Sequence, residues 1–449
     1  MLHDFVQTTS GDMETTISGY KLVDYTEQYK SIMQFNKNKK VHIHQWYPFV
    51  EGYSKEFIES ILSEIDYKPE LVLEPFSGSG TTPLEMQNMG IKCVSFEVSP
   101  FMHLLSTVKM RNDYKLKEYN QYLNIIINDL KEYKSNIRDL MPIPFGRTVV
   151  QNEKLKKWNF NDDIMDGILD IKLAISIIDK KDNKYANLFR IALASILLEA
   201  SNLFRNGKCL SYRKNWQINN TLSRSDIHLI FISKLEGLFL EDIKLIEENF
   251  KNDLSSNYEL CFFGDVRSEI DRIPDDSVDL IITSPPYLNS RDYTDIYMLE
   301  LKVLDLVKNY NELIYLRKKT LRSHVQIKYE NIEALDIPLL KDCLNKLLEK
   351  EELFWNSDIL NMIKAYFIDL NQLFSSFKTK MKKNKFIYFN VANSAYFGVE
   401  ILVDEIVCHI AEKQGFEVIE IRKARNLKTS SQQSKQIESL RESVIVMKS

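Results

Sequence analysis

The sequence predicts an α/β protein built on a seven-stranded, mostly parallel sheet that carries two large helical insertions. Three observations lead to this fold class: short apolar runs that end in Gly-rich or Pro-rich turns, long helical periodicities between them, and an acidic residue directly after the second run. A chain of 449 residues with 44% hydrophobic and 27% charged residues holds enough apolar material for a large core. Wholesale disorder is therefore not expected.

The first zone with recognisable chemistry covers about 41–105. The run Leu71-Val-Leu-Glu-Pro-Phe breaks into Ser-Gly-Ser-Gly-Thr-Thr, and a helical pattern then starts at Pro83 and ends at Gly90. A second strand is expected over 91–96, directly before Glu97. Strand, Gly-rich turn, helix, strand and acid is the order in which a parallel nucleotide-binding unit begins.

The remaining strands follow a long interruption. Two are expected before residue 284, one ending near Phe263 and one over 278–283, and three more over 386–391, 416–421 and 443–447. In open parallel sheets, ligands bind at the carboxyl ends of the strands. The Gly-rich turn after the first strand and the Pro-rich turn after the fourth should therefore be neighbours in space.

The domain organisation follows from these strands. Residues 1–40 form an N-terminal extension, and one sheet core combines 41–105 with 258–297 and 384–449. Helical periodicities fill 106–257 and 298–383, which are the two insertions.

The Gly-rich turn suits a cofactor. Gly78 and Gly80 allow a tight turn and close approach of a ligand, and the following helix offers free N–H groups. The turn lacks the Gly-Lys ending of a phosphate-binding loop and the third glycine of a dinucleotide fingerprint. The alternatives are an ordinary tight turn and, for Glu97, a solvated helix start instead of an acceptor for ribose hydroxyls.

The segment Thr283-Ser-Pro-Pro-Tyr carries a stronger signal. Two consecutive prolines fix the backbone and leave rigid carbonyl acceptors, Ser284 supplies an oxygen, and Tyr287 supplies a flat ring. A site that holds the exocyclic amino group of a base needs such acceptors and a stacking surface. The alternative is a Pro-Pro loop with a surface tyrosine.

These residues carry a family resemblance. Glu74-Pro-Phe-Ser-Gly-Ser-Gly-Thr resembles the S-adenosylmethionine-binding motif of amino-group DNA methyltransferases, and Ser284-Pro-Pro-Tyr resembles their catalytic motif in the form typical of cytosine-N4 enzymes. The segment from Phe263 to Tyr287 is similar to the family throughout. His44-Gln-Trp-Tyr-Pro-Phe-Val-Glu-Gly-Tyr-Ser resembles the segment before the cofactor motif, and 430–446 is more loosely like the closing strand.

The resemblance implies a Rossmann-like methyltransferase sheet, S-adenosylmethionine as cofactor and a role for each matching residue. Glu74 should meet the amino group of the cofactor, Glu97 its ribose and Asp265 its adenine. The full set of expected cofactor residues is Tyr47, Glu74, Phe76, Ser77, Gly78, Gly80, Thr81, Glu97 and Asp265, and the expected catalytic residues are Ser284, Pro285, Pro286 and Tyr287. The cofactor motif precedes the catalytic motif here, unlike the permuted order common among Ser-Pro-Pro-Tyr enzymes.

Several other chemistries are disfavoured. The five cysteines include no CxxC pair and none follows a proline, which argues against a zinc knuckle and against the cysteine nucleophile of carbon-5 cytosine methyltransferases. No metal is expected at His42 and His44, because no third ligand lies nearby. With no secretory signal and no long apolar span, a cytoplasmic protein is expected.

A net charge of -4 means that binding to double-stranded DNA must come from local basic patches. Basic and aromatic side chains interleave over 204–216, and further candidates follow the catalytic turn. The expected DNA contacts are Arg205, Lys208, Arg213, Lys214 and Arg291. The lysine-rich run 378–385 is more typical of a solvated face. With the sheet core as the catalytic methyltransferase core, the insertion 106–257 is the candidate for target recognition and the insertion 298–383 the candidate for DNA contact.

The sequence thus predicts a site-specific methyltransferase that acts on the N4 amine of a cytosine flipped out of duplex DNA, within a restriction–modification system and with a cognate endonuclease as a candidate partner. The alternatives are adenine-N6 methylation of DNA, a nucleic-acid-binding protein with this fold and no turnover, and, more distantly, a nicotinamide oxidoreductase.

Overall fold

The structure is a computed structural model that describes residues 15–207, 209–249, 256–289, 292–330, 332–429 and 437–449. The strands in these residues are β1 (Thr15–Ile17), β2 (Tyr20–Asp24), β3 (Leu71–Glu74), β4 (Lys92–Glu97), β5 (Leu203–Asn206), β6 (Cys209–Tyr212), β7 (Cys261–Phe263), β8 (Val278–Thr283), β9 (Met381–Ala392), β10 (Ser394–Tyr396), β11 (Val399–Ile401), β12 (Glu417–Lys428) and β13 (Ser439–Lys448).

The α-helices in the same residues are α1 (Thr26–Tyr29), α2 (Lys55–Glu64), α3 (Thr81–Asn88), α4 (Pro100–Met110), α5 (Leu116–Asp129), α6 (Ile137–Leu140), α7 (Asp162–Asp179), α8 (Asn183–Ala200), α9 (Trp216–Asn219), α10 (Arg224–Lys234), α11 (Leu240–Asn249), α12 (Val266–Glu269), α13 (Met298–Val303), α14 (Tyr310–Lys319), α15 (Pro338–Leu348), α16 (Ile359–Lys380) and α17 (Val403–Lys413). In the described part of the chain, no helix is long and apolar enough to cross a membrane.

One large sheet organises the molecule, with the strand order β1-β2-β12-β13-β9-β8-β3-β4-β7. The five strands from β7 to β9 run parallel, and β13 is antiparallel to both of its neighbours. All seven predicted strands lie in this sheet, and the predicted Rossmann-like fold class is confirmed. Crossover connections that carry helices, such as α3 between β3 and β4, explain why the central strands are parallel.

The strand count needs a correction, because the sheet has nine strands among the described residues and not seven. The additional strands, β1 and β2, come from the segment predicted to be an N-terminal extension, and β2 pairs in parallel with β12. They were missed because they are only three and five residues long and β1 buries none of its side chains, so neither shows a clear apolar alternation.

The strand order places the site. From β3 the chain crosses to β4 on one side, and it later returns to β8 on the other side, so the connections diverge between β3 and β8. Ligands bind at such a switch point in open α/β sheets. The turns that follow β3 and β8 are adjacent, because Thr283 at the end of β8 donates a hydrogen bond of 2.6 Å to Glu74 at the end of β3.

Helices between β4 and β7 form an apolar bundle, which α13 and α14 join. Leu193 on α8, Ile171 on α7 and Phe231 on α10 have no exposed surface and belong to one buried cluster. Helices α16 and α17 cover one face of the large sheet through a second cluster. Target recognition by the first group of helices, and DNA contact by those between β8 and β9, stay predictions.

Candidate active site

The Gly-rich turn joins β3 to α3 and passes very close to its neighbours. Gly80 caps α3 with φ +78°, and Gly78 has φ +52°, so both adopt the left-handed backbone that glycine favours. A Cβ atom on Gly80 would lie 2.5 Å from Ser106 Oγ, and one on Gly78 would lie 3.1 Å from Phe49 Cζ. The two glycines are therefore required by the backbone conformation and by the space.

Glu74 is buried at the end of β3 and ties three segments together. One carboxylate oxygen accepts from the Phe76 N–H (3.0 Å) and from Thr283 (2.6 Å), and the other accepts from Tyr53 (2.7 Å) and Thr82 (3.0 Å). Burial raises the pKa of Glu74 to about 7, although these hydrogen bonds oppose the shift. Its predicted contact with the amino group of the cofactor stays a prediction.

Glu97, at the end of β4, faces the same turn. Its carboxylate accepts from the Gly78 N–H and from the Ser99 N–H, both at 2.8 Å. Burial raises the pKa of Glu97 to about 7. The acid predicted from the strand order thus reaches the Gly-rich turn itself, where its remaining lone pairs are available for ribose hydroxyls.

Lys109 supports the turn from behind and was not found from the sequence. Its side chain is 1% exposed, and its ammonium donates to the Ser79 carbonyl at 2.7 Å. Burial lowers the pKa of Lys109 to about 7. A lysine in the last turn of α4 gives no signal in the sequence that separates it from a surface residue.

The catalytic turn follows β8 and meets side chains from the far half of the sheet. Tyr287 donates to Glu442 at 2.7 Å and accepts from Asn390 Nδ2 at 2.8 Å, while its backbone N–H donates to Tyr293 at 3.0 Å. Ser284 Oγ lies 3.5 Å from the Tyr287 hydroxyl oxygen. Burial raises the pKa of Tyr287 well above its usual value, so the phenol is neutral.

Asp265 follows β7 and caps α12. Arg267 pairs with its carboxylate at 2.7 Å and also contacts the buried Asp369. This arrangement fixes the side chain at the rim of the site. Its contact with an adenine amino group stays a prediction.

Arg205 and Tyr47 occupy positions that the sequence did not anticipate. The Arg205 guanidinium turns inward, donates to the Pro48 carbonyl at 2.8 Å and lies 5.4 Å from the ring centres of Tyr47 and Tyr297. Tyr47 in turn donates to the buried Glu300 at 2.5 Å. Arg205 therefore forms part of the wall of the site in this structure.

The other predicted DNA contacts have different surroundings. The Arg213 guanidinium donates to the carbonyls of Leu203 (2.9 Å) and Leu198 (3.0 Å), so it braces the β5–β6 hairpin, and Lys214 is exposed. Lys208 and Arg291 lie outside the described residues. Contact of all these residues with DNA stays a prediction.

One cavity of about 560 Å³ unites the two turns. Its walls come from both ends of the site and from the second half of the sheet. The predicted residues that line it are Glu74, Phe76, Ser77, Gly78, Thr81, Glu97, Arg205, Asp265, Ser284, Pro285, Pro286 and Tyr287. Tyr47 and Gly80 are not among the lining residues, although each contacts or borders one that is.

The fold is the Rossmann-like fold of methyltransferases. No family model matches the chain. It is 26% identical over 457 residues to the type II methyltransferase M.BsoBI of Geobacillus stearothermophilus. The aligned residues cover 92% of this chain and 86% of the relative. It is 28% identical over 431 residues to the type II methyltransferase M.AvaI of Nostoc sp. (87% and 83%) and 24% identical over 424 residues to M.MvaI of Kocuria varians (88% and 86%).

These similarities extend over most of each chain. The resemblance to DNA methyltransferases that the sequence motifs predicted is thereby confirmed. The names of the relatives state neither the base nor the atom that is methylated.

Proposed function

We propose that this protein transfers a methyl group from S-adenosylmethionine to the exocyclic N4 amine of a cytosine flipped out of duplex DNA, as the modifying enzyme of a restriction–modification system. The observation that carries the proposal is that Ser284-Pro-Pro-Tyr287 and the Gly-rich turn line one cavity although about 200 residues separate them. A cofactor turn and an amine-binding turn that share a cavity support methyl transfer between their two ligands.

The residues of the Gly-rich turn fit the cofactor. At Gly78 a Cβ atom would lie 3.1 Å from Phe49 Cζ, a tight contact, and Ser79 Oγ is buried without a hydrogen-bond partner among the described residues. Glu97 would hold the ribose, and Asp265 the adenine. When bound, S-adenosylmethionine supplies an electrophilic methyl group on a sulfonium centre.

The target end activates a poor nucleophile. The lone pair of an exocyclic amine is conjugated with its ring. Hydrogen bonds to Ser284 Oγ and to the Pro285 carbonyl draw the amine toward tetrahedral geometry and free the lone pair, while the Tyr287 ring stacks on the base. Holding the amine in line with the methyl group supplies much of the rate.

The serine in the first position of the catalytic motif favours cytosine over adenine by resemblance. Adenine-N6 methylation uses the same acceptors and the same stacking surface, so it is the runner-up. A DNA-binding protein without turnover would need no stacked tyrosine beside a cofactor cradle. A partner endonuclease stays a prediction.

The test transfers labelled methyl groups from S-adenosylmethionine to duplex DNA of mixed sequence, followed by digestion and mass spectrometry of the nucleosides. N4-methylcytosine is the expected product. N6-methyladenine would replace the base assignment and keep the reaction class. If no DNA is labelled although calorimetry shows that the cofactor binds, the proposed enzyme activity is refuted. That result would support a DNA-binding protein without turnover.

A further inference from the structure

A row of polar side chains crosses four adjacent strands beside the catalytic turn. Arg425 lies on β12, Glu442 on β13, Asn390 on β9, and Ser284 directly follows β8. Arg425 and Glu442 are register partners, and Glu442 pairs with Ala392, two residues beyond Asn390. All four side chains line the cavity that holds Tyr287.

The row has a defined hydrogen-bond direction, which starts at Arg425. Its guanidinium is a donor only and pairs with one oxygen of Glu442, which is 1% exposed. A carboxylate paired with arginine is an acceptor only, so the bond of 2.7 Å between Glu442 and Tyr287 must be donated by the phenol.

The direction then passes to Asn390. Because the Tyr287 hydroxyl gives its proton to Glu442, its oxygen accepts from Asn390, which must present its NH₂ group at 2.8 Å. The orientation of this amide is thus fixed by its neighbours. Its other end, Oδ1, is buried and has no hydrogen-bond partner among the described residues. An unmatched buried acceptor costs free energy until a donor reaches it.

From this geometry we infer that Asn390 and Glu442 belong to the target-base subsite: Glu442 positions Tyr287, and Asn390 Oδ1 shares one N–H of the target amine with the neighbouring Ser284 Oγ in a three-centre hydrogen bond, while the Pro285 carbonyl accepts the other N–H. The inference rests on the proposed function. The ligand is of one chemical class, a base edge with an amino group, because the row ends in an acceptor. A base with a carbonyl oxygen in place of the amino group would bring that oxygen against Asn390 Oδ1. Two acceptors cannot form a hydrogen bond, so such a base would be rejected.

The Tyr287 ring provides the apolar contact with the base, and the row of polar side chains provides the hydrogen bonds. A tyrosine whose hydroxyl is held at both sides cannot turn its ring away from the flipped base. Ser284 lies 3.4 Å from Asn390 Nδ2, so the same amide also borders the serine that accepts from the amine. Loss of the row should therefore lower kcat and leave the affinity for cofactor unchanged.

The first test is a double-mutant cycle of Glu442→Gln and Tyr287→Phe, with methyl transfer to duplex DNA as the readout. Each variant should lower kcat by roughly tenfold or more, since hydrogen bonds to charged groups are among the stronger ones. The double variant should lose little beyond either single one: the one amide oxygen of the glutamine faces the donor-only Arg425, so its NH₂ group faces the phenol, and both changes therefore end the bond that Tyr287 donates at this position. Multiplying losses would overturn the positioning role of Glu442.

Glu405→Gln is the matched control. Glu405 is also a buried carboxylate paired with an arginine, Arg441 at 2.9 Å, but neither partner touches Tyr287 in the described contacts. This variant should lose stability in urea and keep kcat within about twofold of the wild type. An equal fall in kcat would show that loss of any buried ion pair is enough, and would overturn the inference.

The second test addresses Asn390. Binding is compared between duplexes that carry cytosine or uracil at the methylated position, for the wild type and for Asn390→Leu. The wild type should prefer cytosine, and the variant should lose at least half of that preference. An unchanged preference would refute the role of Oδ1. A wild type that labels no DNA refutes the proposed function together with this inference, whereas a labelling wild type with normal variants refutes the inference alone.

Discussion

The two ends of the cavity are built in different ways. The proposed cofactor end comes from one stretch, 74–81, together with Glu97 and Asp265. Glu74 already accepts four hydrogen bonds, whereas Glu97 accepts two from backbone N–H groups. The target end joins Tyr287 to Asn390, Arg425 and Glu442, which come from three further strands. It also keeps a buried acceptor without a partner among the described residues.

This difference indicates which end of the cavity controls cofactor affinity and which controls the reaction rate. At the cofactor end, shape is held by glycine backbone conformations and by buried hydrogen bonds, so changes there should alter affinity and stability. At the proposed target end, we expect the chemistry to depend on the hydrogen-bond direction of the row Arg425, Glu442, Tyr287 and Asn390. Changes there should alter the rate with little effect on cofactor binding.

The largest expected effect is that of Tyr287→Ala, which removes the stacking surface and the central member of the row. Transfer should fall by roughly a hundredfold or more, because stacking of a base on an aromatic ring contributes ~1–3 kcal/mol and the contacts of the row are lost as well. The Kd for S-adenosylmethionine, measured by calorimetry, should change little. An equal loss of affinity and rate would mean that Tyr287 lines the cofactor site.

How far the sequence predicted the site follows the same division. The cofactor and catalytic turns were predicted because each is contiguous and interrupts an apolar strand with Gly or Pro. Glu442 and Asn390 were not predicted, because each lies within a strand whose sequence of apolar and polar residues does not differ from that of other buried strands. Only the antiparallel insertion of β13 beside β9 brings them together. Arg205 was assigned to DNA on composition, which gives no information about the direction of its side chain.

An intermediate effect is expected at the cofactor end from Gly80→Ala. The new Cβ would lie 2.5 Å from Ser106 Oγ and 3.1 Å from Ser106 Cα, so the turn or α4 must shift. Affinity for S-adenosylmethionine should fall by roughly tenfold, and the free energy of unfolding should fall by ~1–3 kcal/mol. The rate at saturating cofactor should fall less than in Tyr287→Ala.

Gly19→Ala provides the control for backbone strain alone. Gly19, between β1 and β2, also has a positive φ, +88°, but no described atom lies within 4 Å of the position of its Cβ, and it does not line the cavity. It should lower the stability slightly and leave the cofactor Kd unchanged. If both alanine variants behave alike, the close approach at Ser106 does not shape the cofactor cradle.

The smallest effect on rate is expected from Glu74→Gln, whose signature is a change in the pH dependence of stability. Burial raises the pKa of Glu74 from 4.5 to about 7. At pH values between these two, the carboxyl group is protonated in the folded state and ionised in the unfolded chain. Glu74 therefore lowers the free energy of unfolding as the pH rises from about 4.5 to 7, and has no such effect below that window.

Glutamine fits the same place, because both donors to one oxygen of Glu74, Tyr53 and Thr82, are hydroxyls that can turn to accept from its NH₂ group. The difference in free energy of unfolding, variant minus wild type, should rise by on the order of 3 kcal/mol between pH 4.5 and 7 in urea titrations. Burial lowers the pKa of His44 to about 4, an effect of opposite sign that is common to both proteins and cancels in this difference. A flat difference across the window would mean that Glu74 is ionised in the folded protein near its ordinary pKa, and that its four donors outweigh its burial.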